Sequence, residues 1–299
     1  MVTFVDGPVR VSVPATSANL GPGFDSLGLA LSMRDELEAE VLGSGLEVEV
    51  VGPGAGEVPL DDTHLVVRSM HAAFDALGLR PPGLRLSCRN VIPHARGLGS
   101  SSAAIVAGVV LARSLVAGGA LLLDDVSLFR LAARLEGHPD NVAPAFHGGF
   151  VISGRDEGDF YAVPSPVDPR VEVVVFVPPT PVSTEVARGL LPAMVPHADA
   201  AADAGRTALL VAALAGQPEQ LWRGTRDYLH QDYRRAAMPE SLALVDELRE
   251  DGVAATVSGA GPTVLAFTDA AGAAGLAARC PRAWVAHHLA VDRDGALLG

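Results

Sequence analysis

Two glycines and three serines crowd into Gly97-Leu98-Gly99-Ser100-Ser101-Ser102, inside the longer run Pro93-His94-Ala95-Arg96-Gly97 to Ala103. An apolar, strand-like stretch precedes this loop and a long alanine-valine helix follows it. The first amides of a helix have no intrahelical partner and carry the positive end of its dipole, so an anion placed there completes their bonding. Glycine lets backbone approach closely, and serine hydroxyls can cap the helix or reach a metal bound to phosphate. A cap needs one serine, so the redundancy favours an anion cradle. The chain contains no lysine, which excludes a Walker A loop ending in Gly-Lys-Ser/Thr and the strand lysine of protein kinases. Backbone amides, hydroxyls and a metal must supply the neutralising charge.

Three other clusters carry polar chemistry. Pro14-Ala15-Thr16-Ser17-Ala18-Asn19-Leu20-Gly21-Pro22-Gly23-Phe24-Asp25 follows a short strand and reads as a tight polar loop. Glu136-Gly137-His138-Pro139-Asp140-Asn141 ends a helix and gathers two carboxylates, an imidazole and an amide. That set suits Mg²⁺ and a polar substrate, since magnesium keeps waters and takes phosphate oxygens beside one carboxylate. Zinc is disfavoured, because neither cysteine is near and His138 has no second histidine at ligand spacing. Ser258-Gly259-Ala260-Gly261-Pro262 is a small-residue turn that fails as a dinucleotide fingerprint, having no G-x-G-x-x-G at a helix start. Arginines such as Arg188 and Arg234 ordinarily lie in solvent, but a substrate carboxylate would hold their guanidinium groups in place.

The elements that must position these groups follow from periodicity. Strands are expected at Val9–Val13, Leu46–Val51, Leu84–Ile92, Phe150–Ser153, Val171–Val177, Ala254–Val257, Thr263–Phe267 and Ala283–His288. Helices are expected at Asp62–Leu77, from Ser100 to about Ala117, at Asp124–Leu135, briefly at Pro139–Phe146, and in several pieces between Thr184 and Leu248. Such mixing of strands and helices reads as α+β. The polar stretch Gly154–Pro169 reads as the link between two domains, 1–160 and 161–299. At 299 residues and 49% hydrophobic, the chain can bury a large core. Its net charge of -13 argues against a nucleic-acid surface and for small-molecule partners. Cys88 and Cys280 fit neither a disulfide framework nor a zinc pattern and read as inert. Met1–Arg10 lacks a signal-peptide pattern, and Arg113 with Gly118-Gly119 interrupts the apolar run Ala103–Leu123, so a cytoplasmic setting with no membrane span is expected. A serine hydrolase is disfavoured for want of a Gly-x-Ser-x-Gly elbow.

Taken together, in order and spacing, these four motifs resemble the GHMP kinase superfamily and, within it, the homoserine kinases. The resemblance runs from Pro14 to Phe267. Pro93-x-x-x-Gly97-Leu98-Gly99-Ser100-Ser101 is similar to the superfamily's nucleotide loop. Val13 to Asp25 and Glu136-Gly137-His138-Pro139-Asp140-Asn141-Val142-Ala143-Pro144 select the homoserine branch. The resemblance implies an N-terminal domain like ribosomal protein S5 domain 2, with a left-handed βαβ crossover, and a ferredoxin-like C-terminal α/β sandwich. It implies transfer of the γ-phosphoryl group of ATP to the hydroxyl of L-homoserine, as in threonine biosynthesis, and a homodimer. By motif match, Pro93, Arg96, Gly97, Leu98, Gly99, Ser100, Ser101, Ser102 and Ala103 would hold ATP. Ser101 and Glu136 would hold Mg²⁺, with Ser100 the alternative serine. Asn19, Asp25, His138, Arg188 and Arg234 would line the homoserine site, Asp25 taking the ammonium group and the arginines the carboxylate. In mevalonate kinase an aspartate acts as base near this place; Asn141 stands there here and would orient the hydroxyl. Another superfamily kinase for a small alcohol, or a non-catalytic sensor, remains the alternative.

Overall fold

The computed structural model describes residues 3–299. The first sheet is built on a long hairpin, β1 (Val9–Asn19) and β2 (Gly23–Leu42), followed by β3 (Gly45–Val51), helix α1 (Leu65–Leu77) and β4 (Gly83–Arg89). β3 and β4 run parallel across α1, and β4 pairs antiparallel with β2. The strand expected at Val9–Val13 is therefore only the first part of β1. The polar stretch Pro14–Asp25 is no loop: most of it is paired strand, closed by the turn Leu20–Pro22. β2 had no counterpart among the expected elements, although the more exposed Glu36 and Glu38 alternate with the buried Leu37 and Ala39. Pairing of β1 with β2 breaks register between Pro14 and Ala15 and between Ala18 and Asn19, and Asn19, Leu20 and Asp25 take positive φ. Such bulges re-aim side chains, and here they do so where Asn19 and Asp25 lie.

Against this sheet lie α2 (Ser100–Ser114), α3 (Gly119–Leu122), α4 (Asp125–Glu136) and α5 (Val142–His147). α2 is buried almost all round, from Ser102 to Ala112 with the exception of Ala104. Close packing makes that possible: a Cβ on Gly108 would sit 2.6 Å from the Val66 carbonyl of α1. Asp124 caps α4 by accepting from the Ser127 amide at 2.7 Å, and α4 ends on Gly137 at φ 93. The strand expected to reach Ile92 stops at Arg89, because the buried Asp35 of β2 accepts the Val91 and Ile92 amides at 2.6 and 2.9 Å. That capture turns the chain towards the loop that opens α2.

β5 (Phe150–Asp156) pairs with β2 and with β6 (Asp159–Ser165), so both belong to the first sheet. The stretch Gly154–Pro169, read as a link, thus holds the end of β5 and all of β6, and a cut at 160/161 would sever β6. The last strand of the chain, β11 (Leu297–Leu298), also returns to the first sheet beside β1.

The second sheet has four antiparallel strands: β7 (Glu172–Val177), β8 (Ala255–Val257), β9 (Val264–Thr268) and β10 (Val285–Ala290), in the order β10-β7-β9-β8. That is the ferredoxin-like order. Between β7 and β8 run α6 (Thr184–Gly189), α7 (His197–Gly216), α8 (Leu221–Gly224), a single turn at Asp232–Arg234, and α9 (Pro239–Glu250); α10 (Ala273–Ala277) precedes β10. β7 explains its own unbroken apolar sequence, since a sheet covered on both faces needs no alternation. Val173, Val175 and Val177 join the core shared with the first sheet and with Leu210 and Leu214 of α7. Val174 and Phe176 face Leu242, Val245 and Leu248 of α9. Among the described residues no helix is long and apolar enough to cross a membrane.

Candidate active site

The loop before α2 is shaped by what presses on it. Gly99 is the residue preceding the helix, at φ 69, and no side chain caps the first turn. The first backbone bond is Ala103 N–H to the Gly99 carbonyl, at 2.8 Å. No group among the described residues takes the amides of Ser100, Ser101 or Ser102, so three donors remain at the positive end of a fifteen-residue helix. A Cβ on Gly97 would lie 2.3 Å from the Ser258 carbonyl, and one on Gly99 would lie 1.9 Å from Thr16 Oγ1. Both glycines are thus demanded by approach as well as by backbone angle. Ser258 Oγ lies 2.6 Å from the Gly97 carbonyl and 2.8 Å from Ser17 Oγ, and Thr16 N–H donates to Leu98 at 3.0 Å. The turn Ser258–Pro262 therefore braces the loop from behind.

The serine hydroxyls go to Glu136. Its Oε1 accepts from Ser101 Oγ at 2.5 Å and from Ser102 Oγ at 2.8 Å, joining the start of α2 to the end of α4. Ser100 makes no side-chain bond among the described residues and faces the cavity. Of the two serines weighed for a metal, Ser101 is the one beside the carboxylate, and the buried Ser102 joins it.

The remaining polar groups converge across the cavity. His138 Nδ1 lies 2.7 Å from Asp140 Oδ1, and Thr16 Oγ1 donates to Asn141 Oδ1 at 2.9 Å. Burial works against charging His138, but the hydrogen bond and charge of Asp140, with Glu136 beyond, outweigh it and hold the imidazole above its ordinary value. Asn19 Nδ2 donates to the Gly259 carbonyl at 2.9 Å while its Oδ1 accepts the Asp25 amide at 3.0 Å. Asn19 thereby ties the β1–β2 turn to the Ser258–Pro262 turn. Arg188 and Asp25 form a two-pronged ion pair, Nη2–Oδ1 at 2.6 Å and Nη1–Oδ2 at 3.0 Å. Arg234 is only 1% exposed, against the ordinary habit of arginine. Burial, reinforced by the charge of Arg188, draws its pKa down to about 10 despite Asp227, Asp25 and Asp140.

Ten of the residues given a site role from the sequence line one cavity of about 270 Å³: Asn19, Gly97, Gly99, Ser100, Ser101, Glu136, His138, Asn141, Arg188 and Arg234. The others stand behind it. Leu98 is core, and the Ala103 amide is already spent inside the helix. Pro93 opens the loop outside the cavity wall, Ser102 is buried beneath it, and Asp25 stands behind the wall residues Arg188 and Asn19 that it bonds. Arg96 donates to the carbonyls of His94, Pro178 and Pro179, so it fastens the loop to the end of β7 instead of facing the cavity. Asp140, read from the sequence only as the second carboxylate of its motif with no separate role, also lines the wall, while Thr184 as a wall residue and Thr16 as the partner of Asn141 went unrecognised. Asp140 sits inside a motif already quoted, whereas Thr184 arrives only when α6 folds over the site.

A second cavity, also about 270 Å³, shares Ser100 and Ser101 and extends the other way. Its walls include Leu37, Val58, Pro59, Leu65, Val66 and Cys88, with Asp35, His64, Asn90 and His94 among them. His64 Nδ1 is buried there without a hydrogen-bond partner among the described residues. Nothing in the sequence reading pointed to this pocket, because its walls come from four separate segments.

Residues 64–149 match the GHMP kinases N terminal domain, and residues 208–286 the GHMP kinases C terminal family. Homoserine kinase of Streptomyces coelicolor is 54% identical over 288 residues, 96% of this chain and 93% of that protein. Homoserine kinase of Streptomyces avermitilis is likewise 54% identical, over 96% of this chain and 94% of its own. The crystal structure of homoserine kinase from Cytophaga hutchinsonii superposes with a TM-score of 0.86 at 25% identity, covering 98% of this chain and 97% of that one. With both family domains in order and identity of this level along nearly its whole length, the chain belongs to the GHMP kinases, in the homoserine kinase family.

Proposed function

We propose that the protein transfers the γ-phosphoryl group of ATP to the side-chain hydroxyl of L-homoserine, giving O-phospho-L-homoserine. The observation that carries this reading is the meeting, in one small cavity, of a helix N-terminus with free amides and two buried or half-buried arginines. The first suits phosphate and the second an amino-acid carboxylate. Membership of the homoserine kinase family selects the acceptor among small hydroxy acids.

The triphosphate would lie along Gly97–Ser102, its charge met by the amides of Ser100, Ser101 and Ser102. The base of the nucleotide suits the neighbouring apolar cavity, where His64 offers an unpaired ring nitrogen. Burial, with His94 adding, lowers the His64 pKa and keeps that ring neutral. On the acceptor side, Arg188 and Arg234 would take the carboxylate and Asp25 the ammonium group. The pair Asp25–Arg188 then serves as a stand-in for the zwitterion, each partner holding the place of one substrate charge. Asn141, steadied by Thr16, would orient the hydroxyl towards the phosphorus. No strong base is required, since a loose transition state depends on alignment and charge stabilisation and the proton can leave late, to phosphate.

Mg²⁺ fits the donor set beside the loop. Glu136 and Ser101, with Ser102 behind them, form one carboxylate and two hydroxyls sharing a single oxygen, the sparse protein set magnesium uses when phosphate and water complete its shell. When bound, the ion would neutralise charge developing on the phosphate oxygens. The proposal is tested by ADP release from the purified, folded chain with homoserine, shikimate or mevalonate as acceptor. Release that depends on homoserine alone is expected. Release with another alcohol would mark a different kinase of the superfamily, and none with any acceptor would favour a nucleotide or amino-acid sensor.

A further inference from the structure

Arg234 has to present its guanidinium to the cavity from a fully buried position, and the groups that aim it can be counted. Nη1 lies 2.9 Å from His230 Nδ1 and 3.2 Å from the Gly259 carbonyl, and Nε donates to the Ala187 carbonyl at 3.3 Å. Nη2 makes no hydrogen bond among the described residues, yet it is not one of their sealed, unpaired polar atoms. Since Arg234 lines the cavity, Nη2 is the free prong.

A guanidinium can only donate, so the His230 nitrogen facing it must accept. The imidazole proton then belongs on Nε2, which lies 2.8 Å from the Gly21 carbonyl, an acceptor. His230 is 0% exposed, and its ring stacks on Phe24 at 5.2 Å between centroids with 29° between planes. Both Arg188 and Arg234 lie with their guanidinium carbons 5.5 Å from the centre of that same Phe24 ring. The carboxylate of Asp227 does not compete for the imidazole: it accepts the amides of Leu229, His230 and Gln231 and stays 3.6 Å from Nε2. Two hydrogen bonds and one stacking partner leave the ring no freedom to turn. Burial, with Arg234 acting against Asp227, pushes its pKa down and keeps it neutral.

We infer that His230 is a positioning residue for the phosphotransfer reaction: as a neutral imidazole protonated on Nε2, it accepts from Arg234 Nη1 and turns Nη2 towards the substrate carboxylate. This rests on the acceptor site proposed above. The role differs from simple core packing because it requires an acceptor at one ring position and a donor at the other. Asparagine places its amide near the Nδ1 position and glutamine near the Nε2 position, so the two separate these demands while leaving charge unchanged.

The test compares His230→Asn, His230→Gln and Arg234→Ala in steady-state kinetics, with thermal unfolding of each. Glutamine is expected to raise KM for homoserine by about 10- to 100-fold, the worth of one hydrogen bond to a charged group, with KM for ATP little changed. Asparagine should recover most of that loss. Equal homoserine KM in the Asn and Gln variants, or a parallel rise in KM for ATP, overturns the inference about His230. If Arg234→Ala leaves the homoserine KM unchanged, the assignment of the carboxylate site fails instead. Histidine-selective ¹⁵N NMR of the unaltered protein gives a readout independent of variant folding. A neutral Nε2–H tautomer from pH 6 to 8 is expected, and an Nδ1–H or a charged ring refutes the proposal.

Discussion

Gly99 and Gly78 form a natural matched pair for separating backbone angle from steric approach. Both end or precede a helix at φ 69 with ψ of 26 and 28, so alanine meets the same conformational penalty at each. A Cβ on Gly78 meets nothing within 4 Å, whereas one on Gly99 falls 1.9 Å from Thr16 Oγ1 and 3.2 Å from Asn141 Oδ1. The left-handed conformation costs alanine about 1–2 kcal/mol, partly offset by the lost flexibility of the unfolded chain, about 0.4–1 kcal/mol. Gly78→Ala should therefore destabilise by about 1 kcal/mol and leave turnover alone. Gly99→Ala adds a steric cost of about 1–3 kcal/mol and the Thr16–Asn141 hydrogen bond, about 1 kcal/mol. The sum is about 3–5 kcal/mol, and Asn141 loses the partner that, on the function proposed above, steadies it towards the reacting hydroxyl. Urea unfolding with kcat for both variants measures the difference. Equal destabilisation of the two, or undiminished turnover in Gly99→Ala, would refute the argument that approach to Thr16 dictates the glycine.

Glu136→Gln keeps an oxygen for the two serine hydroxyls but loses the charge, so stability should change little, kcat should fall by about 100-fold or more, and more Mg²⁺ should be needed for half-maximal rate; an unchanged Mg²⁺ requirement would remove Glu136 from the metal site. Burial raises the pKa of Asp203, the Tyr228 amide opposing and Asp227 assisting, to about 6. Its unfolded value is about 3.9, so stability from this group is present below about pH 4 and is lost as pH rises towards its folded value. Asp203→Asn keeps an acceptor for the Tyr228 amide, 3.0 Å away, and its urea midpoint should pull above that of the parent across that window; parallel profiles would contradict the shift. The Cys88 thiol, pushed up to about 12 by burial and by Asp35, should resist a thiol reagent at pH 8 until the protein unfolds. Labelling of Cys88 in the native state at the rate of a free thiol would show that the pocket beside it opens.

The chemistry of the site was legible in the sequence because it is local. Gly97 to Ser102 and Glu136 to Asn141 each place several polar groups on one loop or one helix end, and a helix start needs no distant partner to attract an anion. The β1–β2 region was harder. Pro14–Asp25 has the composition of a turn, yet pairing with β2 makes it strand, and strand pairing depends on a partner far along the chain. The same holds for Gly154–Pro169, whose polar residues are drawn into β5 and β6.

Arg96, Arg188 and Arg234 mark the limit of reading a residue type. Identical guanidinium groups become a strap to the carbonyls of Pro178 and Pro179, an ion-pair partner of Asp25, and a buried prong held by His230. The sequence by itself marked the start of α2 as an anion cradle and left arginine as the chain's one strongly basic side chain, and the motif match set Glu136 beside the serines. Only the tertiary structure decided which serines meet Glu136, which arginine is free, and that His230 stands behind it. The physical reason is range: amides and dipoles are set by the local backbone, whereas the direction of a long side chain is set by whichever acceptors the fold brings within about 3 Å of it.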